Sequence, residues 1–175
     1  MRIVRNVVLA ILGSVFIALS AKIQVPMWPV PMTMQTFAVL IVGMSFGFRL
    51  GGATLLLYLA EGAAGLPVFA SGGGLAYLAG PTAGYLVGFL VSAALVGWLA
   101  ERGWDRTFVL TLVAMVLGTA IIFGLGVAWL SIFLGDANKA IASGLTPFLA
   151  GAAVKITLAA VVLPFAWKLA AKLRR

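Results

Sequence analysis

Six apolar runs, at about 7–24, 34–48, 50–64, 82–100, 107–133 and 147–171, leave too little polar sequence between them to build a soluble surface. Crossing the hydrocarbon core of a bilayer takes about 20 apolar residues. Backbone groups in lipid must be bonded internally, which leaves the helix as the way for such runs to cross. The chain is therefore expected to be an all-α integral membrane protein, with six transmembrane helices in a single domain over residues 1–175. Its 63% hydrophobic and 9% charged residues, with a mean hydropathy of +1.18, exclude an ordinary soluble domain. No small-residue cleavage site follows Met1 to Ser20 and the hydrophobicity continues, so the first run reads as a helix and not as a secretory signal. The second and third runs are short and share a turn around Arg49, Gly51 and Gly52, so they are expected to tilt little, or one of them to stop before crossing fully.

A formal charge of +8 would suit a nucleic-acid binder, but the positions of the basic residues exclude that reading. Arg2, Arg5, Arg49, Arg102, Arg106, Lys168, Lys172, Arg174 and Arg175 fall on one side if both termini are cytoplasmic, leaving Lys22, Lys139 and Lys155 of the 12. This is the positive-inside pattern, and it places a multi-pass protein in the cytoplasmic membrane with Val25 to Thr33, Gly65 to Pro81 and Leu134 to Thr146 outside.

Two of these outer segments are unusual. In VPMWPVPMT three prolines each fix φ and remove a donor, so the segment is expected to be a semi-rigid extended cap carrying Trp28, or else Trp28 is an aromatic anchor at the interface. The stretch from Gly65 to Tyr85, GLPVFASGGGLAYLAGPTAGY, is rich in glycine yet nearly free of charge, and it keeps Leu66, Phe69, Leu75, Tyr77 and Tyr85. It reads as packed backbone, not as linker, and irregular backbone beside a membrane is tolerated where it lines a cavity. Asp136 and Lys139 read as a solvated loop.

The candidate chemistry is that of binding. With no cysteine and no histidine, disulfide, zinc and proton-relay functions lose their usual ligands. Neither a paired carboxylate site nor an activated serine is visible, and Gly72, Gly73 and Gly74 are followed by no phosphate-reaching lysine, so no enzyme, cofactor, metal site or ATP hydrolysis is expected. Lys155 stands roughly 12 Å beyond Pro147 along the last helix. A charge at that depth faces a cavity or a partner, the alternative being a side chain that snorkels back to the interface. Glu61 could neutralise it, sit at the interface or close a pocket. Trp28, Gln35, Ser71, Thr82 and Tyr85 with Lys155 would make a mostly apolar pocket with a few polar fixing points, suited to a compact ring system carrying one carboxylate. Small residues recur every fourth position at Ala10, Ser14 and Ala18, at Gly80, Gly84, Gly88 and Ser92, and at Gly151, Lys155 and Ala159. Such stripes permit close helix approach, and the first is the one expected to face another subunit.

The runs VPMTMQTFAVLIVG, LYLAEGAAGLPVFASGGG, AGPTAGYLVGF and GLTPFLAGAAVK, in this order over nearly the whole chain, resemble the BioY family, the biotin-specific S components of energy-coupling factor (ECF) transporters. The resemblance implies an S-component-like bundle that captures biotin outside a bacterial inner membrane, with a transmembrane T subunit and two ATP-hydrolysing subunits as partners, or a solitary transporter. It implies that Lys155 meets the ligand, that Ser71 approaches the ureido group where relatives often carry asparagine, and that Gly80 to Thr82 border the pocket. Tyr58, Gly72 and Gly84 join them as candidate contacts, and Ala10, Ser14 and Ala18 become the surface for the T subunit. Relatives commonly carry an aspartate where this chain has Ala152, which removes one polar contact and one acidic neighbour of Lys155. An S component for another vitamin, or a membrane scaffold without a ligand, are the competing readings.

Overall fold

The computed structural model describes residues 2–173, with side chains through Lys168, so Lys172 (as a side chain), Arg174 and Arg175 of the charge argument lie outside the described residues. The chain is helical along most of its length: α1 (Arg2–Lys22), a two-stranded ribbon of β1 (Gln24–Val25) and β2 (Met32–Thr33), α2 (Gln35–Ala63), α3 (Leu75–Leu78), α4 (Ala83–Glu101), α5 (Phe108–Leu134), α6 (Ala137–Gly144) and α7 (Leu149–Leu173). Five of these stretches are long and apolar enough to cross a membrane.

The second of them is a hairpin. At Gly47 the backbone takes φ 77° and ψ −179°, a region open essentially to glycine, and α2 folds back there. Gly51 comes against Gly43, where an added Cβ would sit 3.2 Å from the Gly43 Cα, and Tyr58 returns to hydrogen-bond Gln35. In a straight helix Gly43 and Gly51 would be about 12 Å apart. The two arms, Gln35 to Phe46 and Phe48 to Ala63, are the second and third expected segments, and at about 1.5 Å per residue both fall short of a full crossing. The expected turn at Arg49, Gly51 and Gly52 is corrected: those residues are helical, and the reversal sits at Gly47. What selects Gly47 is Glu101 at the end of α4, whose carboxylate accepts the Phe48 N–H at 2.9 Å and caps the second arm.

α2 and α4 form the centre, with α1 against α2, α5 against α4, and α7 against both α5 and α2. Small residues bring the helices together, as the four-residue stripes lead one to expect. On α4, Gly88 leaves room for the Ile122 backbone, where a Cβ would come within 2.9 Å of its Cα, and Gly84 is filled by Trp129. On the α1 stripe Ser14 turns inward: it is fully buried and its hydroxyl donates to Glu61, while Ala10 and Ala18 are half-buried. The exposed face of α1 is the one bearing Val8, Ile11, Leu12, Val15 and Leu19.

A cluster of Tyr58, Phe69, Tyr85, Phe89, Ile122, Leu130 and Phe148 packs one end of the bundle, and a second of Leu40, Met44, Val96, Leu99, Met115 and Leu163 packs further along. The first carries the β-ribbon and the glycine-rich loop. At the same end Asp136 accepts the N–H groups of Asn138 and Lys139 at 2.9 and 3.1 Å, capping α6 where a solvated loop was expected.

Candidate functional site

The glycine-rich segment between α2 and α4 is anchored through its own carbonyl groups. Three consecutive ones are taken by three different side chains: Val68 by the Tyr58 hydroxyl at 2.9 Å, Phe69 by the Lys22 ammonium at 2.8 Å and Ala70 by the Gln24 amide at 3.2 Å. Irregular backbone at this depth must have its polar groups met, and α1, β1 and α2 each meet one. Phe69 turns inward over Gly62, stacks on Tyr77 at 4.9 Å between centroids and meets Tyr58 edge-on at 5.5 Å. Gly72 and Gly74 hold positive φ, and the Gly74 N–H donates to the Gly62 carbonyl at 2.6 Å, closing the loop onto the end of α2.

Under this loop lies a cavity lined from β2, the loop itself and helices α2, α4, α5 and α7. Ala70 and Tyr77 form its roof, Tyr85, Phe89, Phe123 and Phe148 its apolar wall, and Thr33, Gln35, Thr36, Thr82 and Lys155 its polar points. Lys155 is the one charged residue on the lining. Its Nζ donates to the Thr33 carbonyl at 2.5 Å and lies 3.3 Å from the Thr36 hydroxyl, so the side chain reaches across from α7 to β2 and the start of α2 and does not snorkel to the interface. An ammonium has three protons, and two are spoken for. Among the described residues Lys155 makes no salt bridge; Glu61 is taken by Ser14, which answers the question of its pairing.

Of the candidate contacts, Gln35, Thr82, Tyr85 and Lys155 are brought together on the cavity. Tyr85 also donates to the Gly144 carbonyl at 2.7 Å, tying α4 to the end of α6. Tyr58 is fully buried behind Gln35 and off the lining. The remaining candidates lie elsewhere. Trp28 is 83% exposed at the tip of the ribbon. Ser71 faces outward: it and Ala70 are the two turn residues between the paired Phe69 and Gly72, and Ala70 takes the cavity side. Gly72 serves the loop's turn, Gly80 gives its carbonyl to the Trp129 indole at 2.8 Å, and Gly84 packs on α5. Phe89, Phe123 and Phe148 escaped the sequence reading, since a phenylalanine in an apolar helix looks the same whether it faces lipid, core or cavity. Thr33 and Thr36 carried a usable signal: hydroxyls flanking Gln35 at the start of a membrane helix.

The BioY family model matches residues 1–172. The biotin transporter BioY of Thermotoga maritima is 38% identical over 159 residues, covering 90% of this chain and 93% of the relative. The biotin transporter BioY of Rhizobium etli is 34% identical over 169 residues, covering 90% of each chain. The fold is similar to that in a crystal structure of the S-component for biotin from an ECF-type ABC transporter, with a TM-score of 0.83 at 24% identity over 95% of this chain and 93% of that one.

Proposed function

Because this chain belongs to the BioY family, we propose that it is a membrane-embedded substrate-binding subunit that captures biotin for uptake. The observation that carries this reading is Lys155, a single ammonium with one uncommitted proton at the edge of an otherwise mostly apolar cavity. Biotin matches that distribution: a compact bicyclic ring for the aromatic wall, a ureido group for Gln35 and the threonines, and one carboxylate for Lys155. Thr82 and Tyr85 contribute the α4 side of the site. In the orientation that the positive-inside rule favours, the cavity opens outward and both termini lie in the cytoplasm of a bacterial cell. Uptake is then energised by a T subunit and two ATP-hydrolysing subunits, with the exposed apolar face of α1 and the half-buried Ala10 and Ala18 available to a membrane partner, and Ser14 buried beneath them.

Thermal unfolding of the purified protein in detergent tests the substrate. Biotin at a hundred times its dissociation constant is expected to stabilise the protein by about 2.7 kcal/mol. Riboflavin, thiamine and niacin should neither reproduce the shift nor compete with labelled biotin. A shift with one of those vitamins and none with biotin would reassign the substrate, and no shift with any of them would favour a scaffold.

A further inference from the structure

The hydrogen-bond chain behind the cavity determines which way round Gln35 presents its amide. From it we infer that Tyr58 is a positioning residue that turns Gln35 Oε1 into an acceptor for an N–H group of the ligand. The inference rests on the biotin reading above, since the ureido ring of biotin carries two such N–H groups.

The Val68 carbonyl can only accept, and it takes the Tyr58 hydroxyl at 2.9 Å. A phenol has one proton, which is spent there. The Gln35 amide lies 2.6 Å from the same hydroxyl oxygen and can meet it only by donating, so the NH₂ group faces Tyr58 and Oε1 faces away. The Thr33 hydroxyl is compatible with this polarity from the other side. It accepts the Gln35 backbone N–H at 3.2 Å, which leaves its own proton free for Gln35 Oε1, also at 3.2 Å. Oε1 keeps a second lone pair. Gln35 and Thr33 line the cavity, whereas Tyr58 is fully buried and touches none of it.

A glutamine amide is nearly symmetric in shape, so packing alone would let it turn over and offer the cavity its NH₂ group. Here a residue that never meets the ligand forbids the turn, because a reversed Gln35 would set two acceptor oxygens against each other at Tyr58. Selectivity follows: a ring edge with an N–H opposite Oε1 is bonded, and one with an alkylated nitrogen or a bare lone pair meets an oxygen it cannot satisfy. The Tyr58, Val68 and Gly62 contacts also make the glycine loop and Gln35 one rigid unit, so the loop contributes to selectivity without supplying a side-chain contact from Ser71.

The experiment is equilibrium binding of labelled biotin to the detergent-purified full chain, with biotin methylated at either ureido nitrogen as competitor. Wild type should bind at least one methyl isomer more weakly than biotin by about tenfold or more. Tyr58→Phe keeps the ring against Phe69 and should weaken biotin about tenfold, while narrowing the preference for biotin over that isomer because the amide can now turn. In a Gln35→Met background, where only the Val68 carbonyl loses its donor, Tyr58→Phe should weaken biotin clearly less than it does in wild type. The inference is overturned if wild type binds both methyl isomers as tightly as biotin, if Tyr58→Phe leaves the preference unchanged, or if the two substitutions weaken binding multiplicatively. The preference is a ratio measured on one sample, so partial unfolding of a variant does not blur it. A wild-type protein that binds no biotin would overturn the preceding reading instead.

Discussion

Replacing Gly62 with alanine is expected to lower the melting temperature in detergent and to abolish measurable biotin binding with it. A methyl group on Gly62 would overlap the Phe69 ring, and Phe69 has nowhere to retreat: it is fully buried between Tyr58 and Tyr77. Overpacking of this kind costs about 1–3 kcal/mol, and each aromatic pair that comes apart adds about 0.5–1.5 kcal/mol. At about 2–4 °C per kcal/mol for a chain of this size, the melting temperature should fall by roughly 4 °C if the losses are at their smallest and by about 20 °C if both aromatic pairs come apart. Binding suffers because Phe69 lies between Val68 and Ala70 in the anchored run, so moving it displaces the roof of the cavity and the carbonyls held by Tyr58, Lys22 and Gln24. A smaller side chain at position 69 should relieve the clash. In a Phe69→Leu background, Gly62→Ala should cost clearly less than in wild type. Equal costs in the two backgrounds, or an unchanged melting temperature, would mean that the loop does not pack on α2 in this way.

Lys155→Ala should weaken biotin by about 1.5–3 kcal/mol, the scale of a hydrogen bond to a charged group, or roughly tenfold to 150-fold. Isothermal titration in detergent measures it. Two contributions are mixed in that figure. The ligand loses the ammonium that would meet its carboxylate, and the Thr33 carbonyl loses its donor, loosening β2 where the ribbon joins α2. Biotin esterified at its carboxylate separates them. The ester should distinguish wild type from Lys155→Ala far less than biotin does, because only the loss at Thr33 is left. Equal losses for acid and ester would make Lys155 a structural tether of the ribbon and remove it from ligand recognition.

What could be read from the sequence was set by how few residues share a property. Lys155 stood out because a charge within an apolar helix has few explanations, and the fold places it on the cavity. Gln35, Thr82 and Tyr85 were legible as polar groups at the ends of membrane segments. Small residues were legible as close packing but silent on direction, since a stripe of alanine and serine suits a neighbouring helix of the same bundle as well as another protein; Ser14 meets Glu61, 47 positions away. The same ambiguity hid the reversal in α2. Gly47, Gly51 and Gly52 could each have made the turn, and the deciding partner is the Glu101 carboxylate, 53 residues beyond Phe48. Ser71 illustrates a third limit. Ala70 and Ser71 form the two-residue turn between Phe69 and Gly72, and with Phe69 committed to the pocket behind Gly62 it is Ala70, not the polar Ser71, that lines the cavity.

The claim on which the rest depends is that biotin lies beneath the glycine-rich loop with its carboxylate at Lys155. A crystal structure of the protein with biotin tests it most directly. The ring system is expected against Tyr85, Phe89, Phe123 and Phe148, with a ureido N–H on Gln35 Oε1 and a carboxylate oxygen within about 3 Å of Lys155 Nζ. Biotin bound outside this cavity, or within it with the carboxylate turned away from Lys155, would contradict it.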